Sequence, residues 1–200
     1  AVTFSLARFA KRQKSSDLFA GGVLLAAAIM FIRVVIEVLV VYPGLMDALW
    51  MPLTTMFAGL ICALVFVWRR PGGKTGGHQP IAMKNPLQLG MALKFGFLLA
   101  AVLLLSEAMK AWFGNYGIYA LSVVSGLMDV DAIVLSLAKS AKQDLAAEVA
   151  VLGIILACIT NTLVKGVIFA FIAGFKDNFR LPLLMLAAMV PGCLVALALA

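Results

Sequence analysis

A chain of 200 residues that is 64% hydrophobic and only 12% charged does not read as a soluble domain, which is typically nearer half apolar and a quarter charged. Its mean hydropathy is +1.09, and its length leaves room for about six spans of ~20 residues. The net charge of +7 comes from Lys and Arg clustered beside apolar runs, which marks membrane topology rather than nucleic-acid binding.

Residues 1–17 carry Arg8, Lys11, Arg12 and Lys14 and read as a basic cytoplasmic segment against the bilayer surface. No cleavable signal peptide is visible: the first apolar run is short, and its basic residues follow it. From 18 to 200 the chain reads as a single polytopic transmembrane domain. The first span covers about 18–41. Arg33 and Glu37 are four apart within it and share a helix face, so one reading pairs them locally. Tyr42 and Trp50 flank a turn and suit an interface belt. The second span, about 49–68, contains Ala58–Gly59, which permits close helix packing. The loop R-R-P-G-G-K-T-G-G-H-Q-P lacks the spacing of a phosphate loop, and His78 stands alone in it, which argues against nucleotide and zinc.

The third span, about 87–112, starts after Pro86 and carries Glu107 and Lys110 near its far end. F-G-N-Y-G then makes a tight turn. The fourth span, about 118–138, places Ser122, Ser125, Asp129, Ser136 and Ser140 on one stripe at ~100° per residue. Asp131 is then about 200° from Asp129. Either the two carboxylates have separate neighbours, or the helix distorts near Gly126 and both face one site. The fifth span, about 146–174, holds Thr160, Asn161, Thr162 and Lys165. The sixth, about 181–200, has a notch at Pro191–Gly192. Cys62, Cys158 and Cys193 lie in apolar runs and read as packing residues.

Lys and Arg set the orientation. The tail before span one and the loops after spans two and four hold ten of them, and the three opposite turns hold three. This predicts both termini in the cytoplasm. Gly59, Gly126 and Gly192 recur at intervals of 67 and 66 residues, which suggests three repeated helical hairpins in the same orientation. The fold class is therefore an all-α membrane protein of about six transmembrane helices.

A charge at mid-bilayer costs at least ~2.5–3.5 kcal/mol, so intramembrane ionisable groups are site candidates. Asp129, Asp131, Asn161, Lys165, Ser125, Ser136 and Thr162 form the candidate ion-binding or translocation set, with Arg33, Glu37 and Glu107 as secondary intramembrane charges. Arg33 and Lys165 oppose four carboxylates, so the interior is net negative and favours a cation. Asp129, Asp131 and Asn161 are the candidate metal ligands, for a bound cation such as Mg²⁺ or Na⁺ held by oxygen donors. Lys165 is expected within ion-pair reach of Asp129 or Asp131. The function expected is a cation or proton-coupled transport module. The alternative is a non-transporting domain whose buried pairs fix packing and dimerisation. No Ser/His or metal-protease constellation points to an enzyme.

The stretch S-G-L-M-D-V-D-A-I-V-L-S-L-A, the later N-T-L-V-K, and K-N-P-L-Q-L-G-M-A-L-K-F-G resemble a family signature. They are similar to the C-terminal membrane domain of unknown function found in bacterial MgtC/SapB-family proteins. The resemblance spans essentially the whole chain and is tightest from Asn85 to Lys165. It implies a multi-pass protein of the bacterial inner membrane, with an MgtC-like domain as a partner in the full-length protein; the second copy of this chain expected as a partner belongs to the dimerisation reading and not to the resemblance. It brings magnesium in by association only.

Overall fold

The computed structural model describes residues 16–69, 89–174 and 178–199, together with Thr3, Leu6, Ala7 and Ala10. Most of the basic segment 1–17, the loop basic residues Arg70, Lys74 and Lys84, and also His78, Pro86 and Lys176, lie outside the described residues.

The described elements are all helical. Helix α1 is Ser16–Val41, and a 3₁₀ turn at Pro43–Leu45 leads into α2, Met46–Trp68. Helix α3 is Leu89–Met128, α4 is Asp131–Gln143, α5 is Ala147–Ala173 and α6 is Arg180–Leu199. Five of them, α1, α2, α3, α5 and α6, are long and apolar enough to cross a membrane. Long runs of Leu, Ala, Ile and Val favour helix here, because in hydrocarbon every backbone group must find its partner within the segment. The polar Thr54 and Thr55 of α2 are silenced the same way. Their hydroxyls donate back to the carbonyls of Trp50, Met51 and Pro52 at 2.8–3.0 Å.

Packing relies on small residues. A Cβ on Gly59 would lie 2.5 Å from the Ala188 carbonyl oxygen, and one on Gly192 would lie 2.7 Å from the Pro52 carbonyl oxygen. The backbones of α2 and α6 therefore touch, as lipid-embedded helices without a hydrophobic drive between them tend to do. The pairing of 59 with 188 and of 192 with 52 makes α2 and α6 antiparallel. Three hairpins in one orientation would run them parallel, so the repeat expected from the glycine spacing is not the one built: the α5–α6 hairpin is inverted relative to α1–α2.

The expected fourth span differs most. α3 is sharply bent at Gly114, whose φ of 57° and ψ of −141° lie in a region open mainly to glycine. Beyond this bend Gly117 packs onto the Met109 carbonyl, which a straight helix would hold about 12 Å away. The chain reverses there, and the second limb, 115–128, runs back beside the first limb, 89–113. At Asp129–Val130 the helix breaks, and α4 begins. α4 lies parallel to the first limb of α3. Ser106 faces Ser136 at 3.0 Å, Glu107 faces Ser140 at 3.5 Å and Lys110 faces Asp144 at 2.9 Å. The second limb lies parallel to α5, with Gly153 against Ile118 and Ser122, and Gly126 against Ala157 and Thr160.

These contacts leave one topology. The second limb of α3 and α4 form a helical hairpin that enters and leaves at the same side. Their 14 and 13 residues rise only about 20 Å each, short of the ~30 Å hydrocarbon core. The segment 118–138 is thus a re-entrant hairpin and not a span.

Candidate functional site

The apex of the re-entrant hairpin brings the two carboxylates level with the middle of α5, where Asn161 meets Gly126. Asp129 ends the second limb, its N–H still donating to the Ser125 carbonyl at 2.8 Å. Asp131 opens α4, and its N–H points at Asp129 Oδ1, 3.5 Å away. A carboxylate in the first turn of a helix sits at the positive end of the macrodipole. Asp131 is buried and Asp129 half-buried. The helix distorts as one of the two readings allowed, three residues past Gly126.

A break at this depth leaves backbone groups to satisfy. In an unbroken helix the Gly126 carbonyl would accept from the Val130 N–H. Here the buried Asn161 of α5 donates its Nδ2 to that carbonyl at 3.0 Å. Asn161 is therefore a structural donor to the broken helix. Gly126 makes the approach possible, since a Cβ there would meet the Ala157 carbonyl oxygen at 2.7 Å.

Arg33 supplies the partner that local spacing did not reveal. Its Nη2 bonds Asp131 Oδ2, across 98 residues of sequence. The same Nη2 stands 4.0 Å from Glu37 Oε1. The guanidinium side chain is 57% exposed, while those of Asp131 and Glu37 are 8% and 18% exposed. Glu37 Oε2 is enclosed, with no hydrogen-bond partner among the described residues, and so is the hydroxyl of Thr162.

Lys165 corrects an expectation. It makes no salt bridge to Asp129 or Asp131, and its Nζ points to Met30 Sδ at 3.5 Å. Asp131 is already taken by Arg33, which reaches it from α1. Lys165 still lies within the electrostatic reach of Asp129 and Arg33. Glu107 is not in the cluster: it is exposed and faces Ser140 higher along the hairpin. Ser136 is buried but bonded to Ser106, a partner absent from the serine stripe that the sequence suggested. Ser125 is buried one turn before Asp129.

The apex therefore gathers Arg33, Glu37, Asp129, Asp131 and Lys165, three carboxylates against two cations. Among the described residues no three His, Cys, Asp or Glu side chains gather to hold a metal ion. Asp131 is committed to Arg33, so the trio Asp129, Asp131 and Asn161 offers too few free carboxylate oxygens for a resident Mg²⁺, which demands near-octahedral oxygen ligation. The arrangement can exchange counter-ions and hold or release a proton.

Comparison with known proteins adds a family and no chemistry. An uncharacterized protein of Aquifex aeolicus (strain VF5) is 33% identical over 178 residues, covering 88% of this chain and 77% of the relative. No solved structure matches. The family described as Domain of unknown function (DUF4010) matches residues 1–173, and the chain belongs to it.

Proposed function

We propose that this multi-pass membrane domain moves a cation or a proton past the apex of its re-entrant hairpin. The observation that carries the reading is the helix break at Asp129–Val130. Irregular backbone at membrane depth is tolerated where it is buried in protein or lines a cavity, and broken helices with charged ends build the ion sites of many transporters. Asp129, half-buried at the apex, is the proposed carrier or passing ligand, with Ser125 beside it. Asp131 and Asn161 are positioning residues that hold the hairpin to α1 and α5. The cation is cargo in this reading, and no enzymatic reaction is proposed. The MgtC/SapB association and the bacterial inner membrane location rest on the resemblance.

Flux of protons and a panel of cations into proteoliposomes tests the reading. Asp129→Asn should reduce flux to background with little change in thermal stability in detergent. Asp131→Asn should lower stability, because it removes the charge that Arg33 holds. Full flux in Asp129→Asn would end the proposal. The second reading, a packing and dimerisation domain, is favoured by the structural use of Asp131 and Asn161. It predicts no flux in the parent.

The same geometry proposes an orientation. The Ser16 end of α1 and the Leu199 end of α6 fall on opposite sides of five crossings. The basic side then holds the four residues before α1, the four around the 69–88 loop, and Lys176 and Arg180. Lys110, Lys139 and Lys142 face the other side. The split is again ten to three, so the charge rule supports this topology as well as the six-span one, with α1 starting in the cytoplasm. Single cysteines at Asn115 and Asp144 should both react with an impermeant reagent from the same, outer side. Labelling from opposite sides would restore six spans.

A further inference from the structure

The hairpin clamp also contains an acid with unfinished contacts. Glu37 lies one turn from the end of α1, four residues from Arg33. One of its oxygens is enclosed with no donor among the described residues, and the other stands 4.0 Å from the nitrogen of Arg33 that bonds Asp131. An ionised carboxylate with a bare, enclosed oxygen is costly, and the neutral acid far less so. Burying a charge is tolerated when it is paired and hydrogen-bonded, and Glu37 is loosely paired at best.

Among the described residues, charged and titratable groups surround Glu37 from three elements. Arg33 belongs to its own helix. Asp129 and Asp131 come from the hairpin apex. Cys158 and Lys165 come from α5, and both act electrostatically within the same neighbourhood. The other helix against α1 is α2, whose titratable groups are Asp47 and Cys62. Among the described residues Arg33 is thus the sole guanidinium near three carboxylates, and one of its nitrogens faces two of them.

We propose that Glu37 is a proton-binding site, and that its charge decides whether Arg33 holds the hairpin. With Glu37 protonated, Arg33 is committed to Asp131 and the apex is clamped to α1. Loss of the proton from the Glu37 carboxyl to water leaves a carboxylate 4.0 Å from the guanidinium. Arg33 is then drawn along its own helix toward Glu37, and the Asp131 contact loosens. Rebinding the proton restores the clamp. No other bond changes. The exposure of the Arg33 side chain, 57%, gives it room to swing. This proposal rests on the transport reading and names the proton as its coupled ion.

The test uses the full chain in lipid nanodiscs, titrated with pH. Infrared difference spectra should show a protonated-carboxyl band that disappears as pH rises. The band should be missing in Glu37→Gln and present, with a displaced midpoint, in Glu37→Asp. Protection of the 125–133 amides, taken relative to the intrinsic base-catalysed exchange rate at each pH, should fall as pH rises in the parent and stay constant in Glu37→Gln. A band unchanged in Glu37→Gln, or apex protection that still falls with pH there, overturns the proposal. Proton flux measured on the same samples separates the two readings. Flux with parental pH dependence in Glu37→Gln defeats the proton site and leaves transport standing. The Glu37-dependent band and exchange without any flux support the proton site and defeat transport.

Discussion

Arg33→Ala should destabilise the domain by about 2–3 kcal/mol, more than any other single change to the charged cluster. Removing one member of a buried ion pair costs roughly 3–5 kcal/mol, because a buried charge is left uncompensated. Asp131 is that buried charge, with a side chain 8% exposed, but Arg33 is more than half exposed, which lowers the estimate. The loss is structural as well as electrostatic, since the pair joins α1 to the hairpin across 98 residues. Asp131→Asn should cost less, because an exposed guanidinium can turn elsewhere while an enclosed carboxylate cannot. The double replacement Arg33→Met with Asp131→Leu should recover most of the stability, since a well-packed apolar pair often equals or exceeds a buried ionic one. Thermal denaturation in detergent measures all three. An Arg33→Ala protein as stable as the parent would show that the hairpin is held by packing alone.

Gly126→Ala should act against the usual helix preference. In an exposed helix Ala is favoured over Gly by up to about 1 kcal/mol. At Gly126 the added methyl would sit 2.7 Å from the Ala157 carbonyl oxygen and 2.9 Å from Thr160 Cβ. Both belong to the body of α5 and cannot rotate aside, so the hairpin must move. Overpacking of this kind costs roughly 1–3 kcal/mol, and displacement also stretches the Asn161 bond that caps the break. We expect a net loss of about 2 kcal/mol, together with loss of any flux. Gly96→Ala is the control, because nothing lies within 4 Å of its added methyl. It should be neutral or slightly stabilising. If both variants behave alike, close contact at the apex is not what holds the hairpin.

The helices were legible because hydropathy is a local property. The apolar runs from 18 to 68 and from 146 to 200 correspond to α1, α2, α5 and α6, and the residues that carry the chemistry, Asp129 and Asp131 above all, stood out because charge is rare there. The reversal at Gly114 was legible as the turn read at F-G-N-Y-G, and a distortion near Gly126 was one of two readings left open; that the chain turns back at Asp129–Val130 instead of completing a span was illegible, for a specific reason. A re-entrant hairpin and a full span followed by a loop give the same ten-to-three division of Lys and Arg, since Lys139 and Lys142 trade sides with Lys176 and Arg180. The charge rule is degenerate between them, and only contacts such as Ser106 with Ser136 and Asn161 with Gly126 separate the two. Arg33 misled in another way. Its i+4 neighbour Glu37 offered a complete local explanation, and nothing in the spacing pointed to Asp131. That left Lys165 as the apparent partner for the carboxylates. The glycine recurrence marked real close approaches at Gly59, Gly126 and Gly192. Their shared cause is backbone contact between helices, which occurs in inverted pairs as readily as in repeats of one orientation.

The shortness of the hairpin limbs has a consequence for how the protein is made. Neither limb is long enough to be released into lipid as a span, and each acidic residue at the apex would resist entry on its own. The Gly126 carbonyl finds its donor in Asn161, which emerges from the ribosome 35 residues later. Arg33 is already in the membrane by then, with its charge waiting. The hairpin is therefore expected to enter late, into a slot that α1 and α5 must first define. On this account a folding step inside the bilayer follows the insertion of α5, the last of the slot-forming helices.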